Sequence, residues 1–127
     1  MLDSNERIVV IGGVAAGMSA ASQARRRAPD ADVVLLECGS FVSYGTCGIP
    51  YNISDPRRNV EDLIVLSHEE AVDKRRIDVR MGYRATAIDL EGRSVYTTDT
   101  NTGREYSIGF DRLVLATGAT PLQPGID

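Results

Sequence analysis

Cys47 stands in an uncharged stretch from Gly39 to Tyr51, GSFVSYGTCGIPY, where glycines, aromatics and a proline surround one thiol. Such a loop is poor surface but good lining for a flat ligand. Gly48, Ile49 and Pro50 follow the cysteine, and proline is tolerated in the first turn of a helix, where its missing N–H costs nothing. The sulfur is therefore expected at the positive end of a helix, a setting in which thiols ionise near neutrality. A thiolate there would be a nucleophile and would donate charge to an electron-poor ring stacked on it. A buried, inert thiol would share the same local sequence.

A second set of residues has the spacing of a phosphate cradle. Arg7 to Gly17 reads RIVVIGGVAAG. Ile8 to Ile11 form an unbroken β-branched run, suited to a strand buried on both faces of a parallel sheet. Gly12 and Gly13 supply a sharp turn, and Ala15, Ala16, Gly17, Ala20, Ala21 and Ala24 let a helix sit close to the sheet. The free N–H groups and dipole at such a helix start bind a pyrophosphate. Set against G-x-G-x-x-G, Gly12 is the first glycine and Gly17 the third, while Val14 occupies the second place. Val33 to Glu37, VVLLE, reads as the next buried strand, ending in a carboxylate that can accept hydrogen bonds from an adenosine ribose. A generic α/β turn followed by a surface glutamate is the plainer reading of the same pair.

Composition sets the frame for these sites. A chain of 127 residues fits one domain with a real core. A net charge of −4 and a pI near 5.0 argue against nucleic acid as a partner. Arg25, Arg26 and Arg27 are expected to form a solvated face that complements the helix dipole. No apolar run is long enough to span a membrane. The polar start MLDSNER has no signal-peptide core, which points to the cytoplasm. In that compartment Cys38 and Cys47 are read as unpaired. His68, the single histidine, has no companion ligand, so no metal site is assigned.

The remaining elements follow from local signals. Pro29 breaks the first helix, and Asp30 to Asp32 leads into the second strand. Asp55 to Asn59 is a solvated turn. Ser67 and Glu70 make a capping box, so a short helix is expected over Ser67 to Arg76. Asp78 to Asp89 reads as a strand region interrupted near Gly82, where the chain changes partner. Ser94 to Thr98 and Arg104 to Ile108 flank the turn DTNTG as a hairpin. Phe110 to Ala116 reads as another buried strand, ending in Thr117, Gly118 and Ala119. The fold class is therefore α/β: a Rossmann-like parallel sheet with one βαβ dinucleotide motif and an antiparallel hairpin, incomplete as a domain.

Taken together, RIVVIGGVAAGMSAASQARR, VVLLE, FVSYGTCGIPY and LVLATGATPLQP resemble the first flavin-binding portion of the pyridine nucleotide-disulfide oxidoreductases. Within that superfamily they are most similar to the coenzyme A disulfide reductase, NADH oxidase and persulfide reductase group. The resemblance covers nearly the whole chain. It implies FAD as cofactor, held by Gly12, Gly13, Val14, Ala15, Ala16, Gly17, Glu37, Cys38, Ala85, Ala116, Thr117 and Gly118. It also implies NAD(P)H as reductant and Cys47 as the catalytic sulfur. Members with an internal redox disulfide carry C-x4-C, and here Asn52 takes the second place. Cys47 must then cycle against an external partner, as mixed disulfide, persulfide or sulfenic acid. Cys38 does not match the redox position and reads as a packing residue beside Glu37.

The same resemblance assigns Ser19, Gln23, Arg26, Ser43 and Thr46 to a thiol or disulfide substrate, coenzyme A among them. Positions 19, 23 and 26 share one helix face, although a polar outer face is also the default for any such helix. Thr46 replaces the asparagine usual in coenzyme A disulfide reductases. The family's FAD domain is discontinuous, with a nicotinamide-binding domain inserted and a dimerisation domain following. Residues 1–127 are therefore expected to be the first FAD segment of a longer homodimeric reductase, inactive alone; a non-catalytic nucleotide-binding fragment is the alternative.

Overall fold

The β-branched run after Arg7 has no polar break, and in the computed structural model, which describes residues 6–125, it lies at the centre of the molecule. In chain order the elements are β1 (Arg7–Ile11), α1 (Ala15–Arg27), β2 (Asp32–Glu37), α2 (Ile49–Ser54), β3 (Asp78–Met81), β4 (Tyr83–Asp89), β5 (Ser94–Asp99), β6 (Glu105–Gly109) and β7 (Arg112–Leu115). Short helical turns at Thr46–Gly48, Val60–Leu63 and Glu70–Lys74 punctuate the loops. β1, β2, β3 and β7 form a parallel sheet in the order β3-β2-β1-β7, and β4-β5-β6 form a separate antiparallel sheet. The fold class expected from sequence is the one observed.

Side chains alternate across the parallel sheet, and each face has its own partner. Ile8, Val10, Val33 and Leu35 pack with Met18 and Ala21 of α1 and with Ala71 and Ile77. Val9, Ile11, Val34 and Leu36 pack on the other face with Val95 of β5 and Ile108 of β6. Burying each such aliphatic side chain contributes roughly 1.5 to 3 kcal/mol, enough for the two faces to set the register of β1 and β2. Gly82, at φ +77, lies between β3 and β4, so the chain leaves the parallel sheet at the position expected.

Three expectations need correction. The apolar run Phe110 to Ala116 predicts a buried strand, but only Arg112–Leu115 is strand, and it is half covered, with Leu115 63% exposed. Among the described residues β7 pairs on one side only, with β1, so its outer edge and much of its surface stay open. The helix expected over Ser67 to Arg76 begins on its capping box: Glu70 N–H donates to Ser67 Oγ at 3.1 Å and Ser67 N–H to the Glu70 carboxylate at 3.4 Å. It then widens into a π turn over Glu70–Lys74, with Arg75 N–H donating to the Glu70 carbonyl. That wider turn buries Ala71 completely against the sheet. Finally, the arginine triplet is not uniformly solvated. Arg25 turns inward and its guanidinium donates to the carbonyls of Pro29, Ala31 and Arg76, while Arg26 and Arg27 stay exposed.

Candidate functional site

The parallel strands β1, β2 and β7 end at a common edge, and the chain reverses its order of strand addition there: β2 lies on one side of β1 and β7 on the other. A crevice at such a switch point, outside the carboxyl ends of the strands, is where α/β sheets bind ligands. A cleft of about 890 Å³ occupies that place. Gly12, Val14, Glu37, Cys38, Thr46, Ala116, Thr117 and Gly118 line it, and Tyr83 to Ile88 of β4 close the far side, Ala85 among them. The expected cofactor residues thus converge, with four exceptions. Gly13 and Gly17 are buried behind the wall, Ala15 lines a smaller cleft beside α1, and Ala16 is exposed elsewhere on α1.

Gly12 and Gly17 explain how the cradle is built. A Cβ on Gly12 would stand 2.1 Å from the Ala116 carbonyl oxygen, and one on Gly17 would stand 1.7 Å from the Gly12 carbonyl oxygen. Both contacts are impossible for a side chain, so α1, the turn and the end of β7 can meet only through glycine. Gly12 also holds φ +102, a left-handed conformation that favours glycine. Val14, the residue before α1, provides no side-chain cap, so no side chain occupies the N–H groups of the first turn. Val14, at the second motif position, is half buried on the cleft wall.

Glu37 does more than wait for a ligand. Its carboxylate accepts Gly13 N–H and Gly39 N–H, each at 2.7 Å, and the residue is only 9% exposed. It therefore ties the end of β2 to the glycine turn. Each carboxylate oxygen accepts more than one hydrogen bond, so capacity for ribose hydroxyls remains. Cys38, read as a packing residue, is instead exposed on the cleft. Cys47 is also exposed in this segment. It sits in the tight turn Thr46–Gly48, which runs directly into α2 with Pro50 in the first turn, as expected. Thr46 reaches the cleft wall, placing Cys47 one residue from it.

A smaller cleft of about 260 Å³ opens beside α1, and Ser19, Ser43 and Arg75 line it. Ser43 holds φ +51, pinned by its N–H to the Gly13 carbonyl at 2.8 Å and by Val65 N–H donating to its own carbonyl at 2.9 Å. Loop and glycine turn are thus one rigid unit. Gln23 and Arg26 continue the exposed face of α1 beyond Ser19, and Arg26 donates to the Gln23 side chain at 2.7 and 3.1 Å. Ser19 and Ser43 are brought together; Thr46 faces the larger cleft; Gln23 and Arg26 stand outside both.

Residues 6–127 match the family model described as pyridine nucleotide-disulphide oxidoreductase. The chain belongs to that family. It is 36% identical to the NAD(P)H coenzyme A polysulfide/persulfide reductase of Pyrococcus horikoshii, covering 96% of this chain and 26% of the relative. It is 29% identical to the coenzyme A disulfide reductase of Staphylococcus aureus, over 95% of this chain and 28% of the relative. The crystal structure of reduced Bacillus anthracis CoADR-RHD superposes with a TM-score of 0.91 at 30% identity, covering 96% of this chain and 22% of that one. The chain thus spans about a quarter of the length of the relatives it matches.

In this pyridine nucleotide-disulphide oxidoreductase segment, one lining residue belongs to no sequence motif. Arg75 reaches across to α1, where its Nη1 donates to Ser22 Oγ at 2.6 Å. Ser22 is 3% exposed, and a buried serine on an otherwise small, apolar helix face was the available hint that a distant donor must satisfy it. Among the described residues no cluster of three or more histidine, cysteine or acidic side chains could hold a metal, and His68 Nε2 lies 3.2 Å from the Val79 carbonyl oxygen. No helix among them is long and apolar enough to cross a membrane.

Proposed function

We propose that this chain is the first FAD-binding segment of an NAD(P)H-dependent flavoprotein reductase that turns over coenzyme A disulfides or persulfides through the single redox sulfur of Cys47. One observation carries the reading: the glycine turn, Glu37, the Ala116–Gly118 loop and Thr46 converge on one cleft, with Cys47 next in the chain. The residues fit the cofactor. The uncapped first turn of α1 offers N–H groups to a pyrophosphate, and Glu37 keeps acceptor capacity for a ribose. When bound, FAD supplies two-electron transfer between a nicotinamide and sulfur.

The protein's own residues perform the sulfur chemistry. The Cys47 thiolate attacks one sulfur of the disulfide, forming a mixed disulfide and expelling the first thiolate. Two electrons drawn from NAD(P)H then cleave that mixed bond, releasing the second thiol and restoring the Cys47 thiolate. The balance is NAD(P)H + H⁺ + RSSR giving NAD(P)⁺ + 2 RSH. Asn52 in place of a second cysteine means that no internal disulfide intervenes. Ser19, Ser43 and Arg75 then hold the coenzyme A part, Arg75 supplying a guanidinium suited to phosphate. The nicotinamide-binding and dimerisation domains belong outside residues 1–127, in a homodimeric, cytoplasmic protein that carries this segment.

The test is NADH-dependent turnover of coenzyme A disulfide and persulfide by that protein and by its Cys47→Ser variant. The serine variant is expected to lose turnover while retaining FAD, because a hydroxyl neither ionises nor cycles as sulfur does near neutrality. Wild-type turnover by the variant would overturn the assignment. Oxygen consumption with both sulfur acceptors inert would make oxygen the acceptor. A yellow protein inert toward all three would support the nucleotide-binding alternative.

A further inference from the structure

Arg25 makes contacts that neither the dipole of α1 nor the sheet requires. Its Nη1 donates to the carbonyls of Pro29 at 2.9 Å and Ala31 at 2.6 Å, and its Nη2 donates to the carbonyl of Arg76. Arg76 reaches the same Pro29 carbonyl at 2.9 Å. One guanidinium thus ties the end of α1, the entry to β2 and the exit of the π turn at a single point. The pinned carbonyl belongs to the residue immediately after Arg75, and Arg76 holds φ +52, a left-handed conformation that an arginine keeps only under restraint.

Three positions before Arg25, on the same face of α1, Ser22 accepts from Arg75 at 2.6 Å. Two contacts therefore span the gap between α1 and the π turn in register: Arg25 holds the main chain, and Ser22 receives the side chain. Arg75 uses one of its donors on Ser22 and keeps the others for the cleft it lines. We propose that Arg25 is a positioning residue, which fixes the backbone after Arg75 so that the Arg75 guanidinium is held in the cleft with Ser19 and Ser43 to meet a phosphate group of a coenzyme A ligand. The phosphate half of this inference rests on the substrate reading above. Lysine cannot replace Arg25, because an ammonium is a point donor and three carbonyls at fixed positions need the planar fork.

The experiment measures coenzyme A binding by calorimetry to the protein carrying this chain, in wild type, Arg25→Met, Arg25→Lys, Arg75→Met and the Arg25→Met/Arg75→Met double variant, with crystal structures of wild type and Arg25→Met. Arg25→Met is expected to weaken coenzyme A binding about threefold to tenfold, part of what a full charge-assisted contact supplies. Arg25→Lys should recover little of it. In the Arg75→Met background, Arg25→Met should change nothing further, since its effect passes through Arg75. Equal losses in both backgrounds, or full affinity with only a lowered Tm, would reduce Arg25 to a structural tie and overturn the proposal. If Arg75→Met itself binds coenzyme A as wild type does, the substrate reading of this cleft fails. The crystal structures decide the positioning separately: Arg75 displaced from Ser22 in Arg25→Met supports it, and Arg75 unmoved refutes it.

Discussion

Gly17→Ala sets two well-calibrated effects against each other. In a helix interior alanine is favoured over glycine by about 1 kcal/mol, so propensity alone makes the variant more stable. The packing says the opposite. The new Cβ would stand 1.7 Å from the Gly12 carbonyl oxygen, 2.8 Å from its carbon and 3.3 Å from the Ala116 Cβ, whereas ordinary contact begins at 3.4 Å. The difference, 3.4 − 1.7, means that α1 must retreat by about 1.7 Å from the turn. Overpacking of a closed site costs about 1 to 3 kcal/mol, and because backbone rather than a flexible side chain obstructs, the upper half of that range applies. After the helix gain is subtracted, the variant should be about 1 to 2 kcal/mol less stable. The retreat also carries the first-turn N–H groups away from the phosphates, so FAD affinity should fall about tenfold or more. Urea unfolding of the protein without FAD, and FAD titration followed by flavin fluorescence, read the two effects separately. A variant as stable as wild type with unchanged FAD affinity would refute this account of the cradle.

Glu37→Ala leaves the buried Gly13 N–H without its acceptor, so unfolding without FAD should require about 1 to 3 kcal/mol less, and FAD affinity should fall several-fold or more; urea unfolding and titration check each half. Ser67→Ala removes the hydroxyl that caps the start of the π turn and should cost about 1 kcal/mol, seen as a lowered Tm with FAD affinity intact.

What could be read from sequence is what local rules govern. The unbroken run Ile8 to Ile11, the glycine pair and the small-residue helix are each a short-range signal, and they agree with one another, so β1, the turn and α1 follow from them. Gly82 marks the change of sheets because a left-handed residue is needed where β3 ends and β4 begins. The capping box gives the start of the helix at Ser67 but not its course, because the π turn depends on Ala71 filling the core and on a restraint at Arg76. Arg25 and Arg75 were illegible for the same reason. The Arg76 carbonyl that Arg25 binds and the Ser22 hydroxyl that Arg75 binds lie 51 and 53 residues away in the chain, and no periodicity records such pairs. β7 misled because an apolar run does not say whether both faces and both edges find partners. Cys38 misled because its neighbour Glu37 turns inward to the glycine turn, leaving the thiol on the cleft.

The central claim is that one sulfur, Cys47, carries the exchange. Mass spectrometry of chymotryptic peptides, which cleavage at Phe41 and Tyr44 divides between Cys38 and Cys47, after incubation with coenzyme A disulfide and before and after addition of NADH, tests it most directly in the FAD-loaded protein that carries this chain. The account expects a coenzyme A adduct on the peptide containing Cys47, absent from Cys38, and removed by NADH with release of one further thiol. An adduct confined to Cys38, or an unmodified Cys47 in protein that is turning over disulfide, would contradict it.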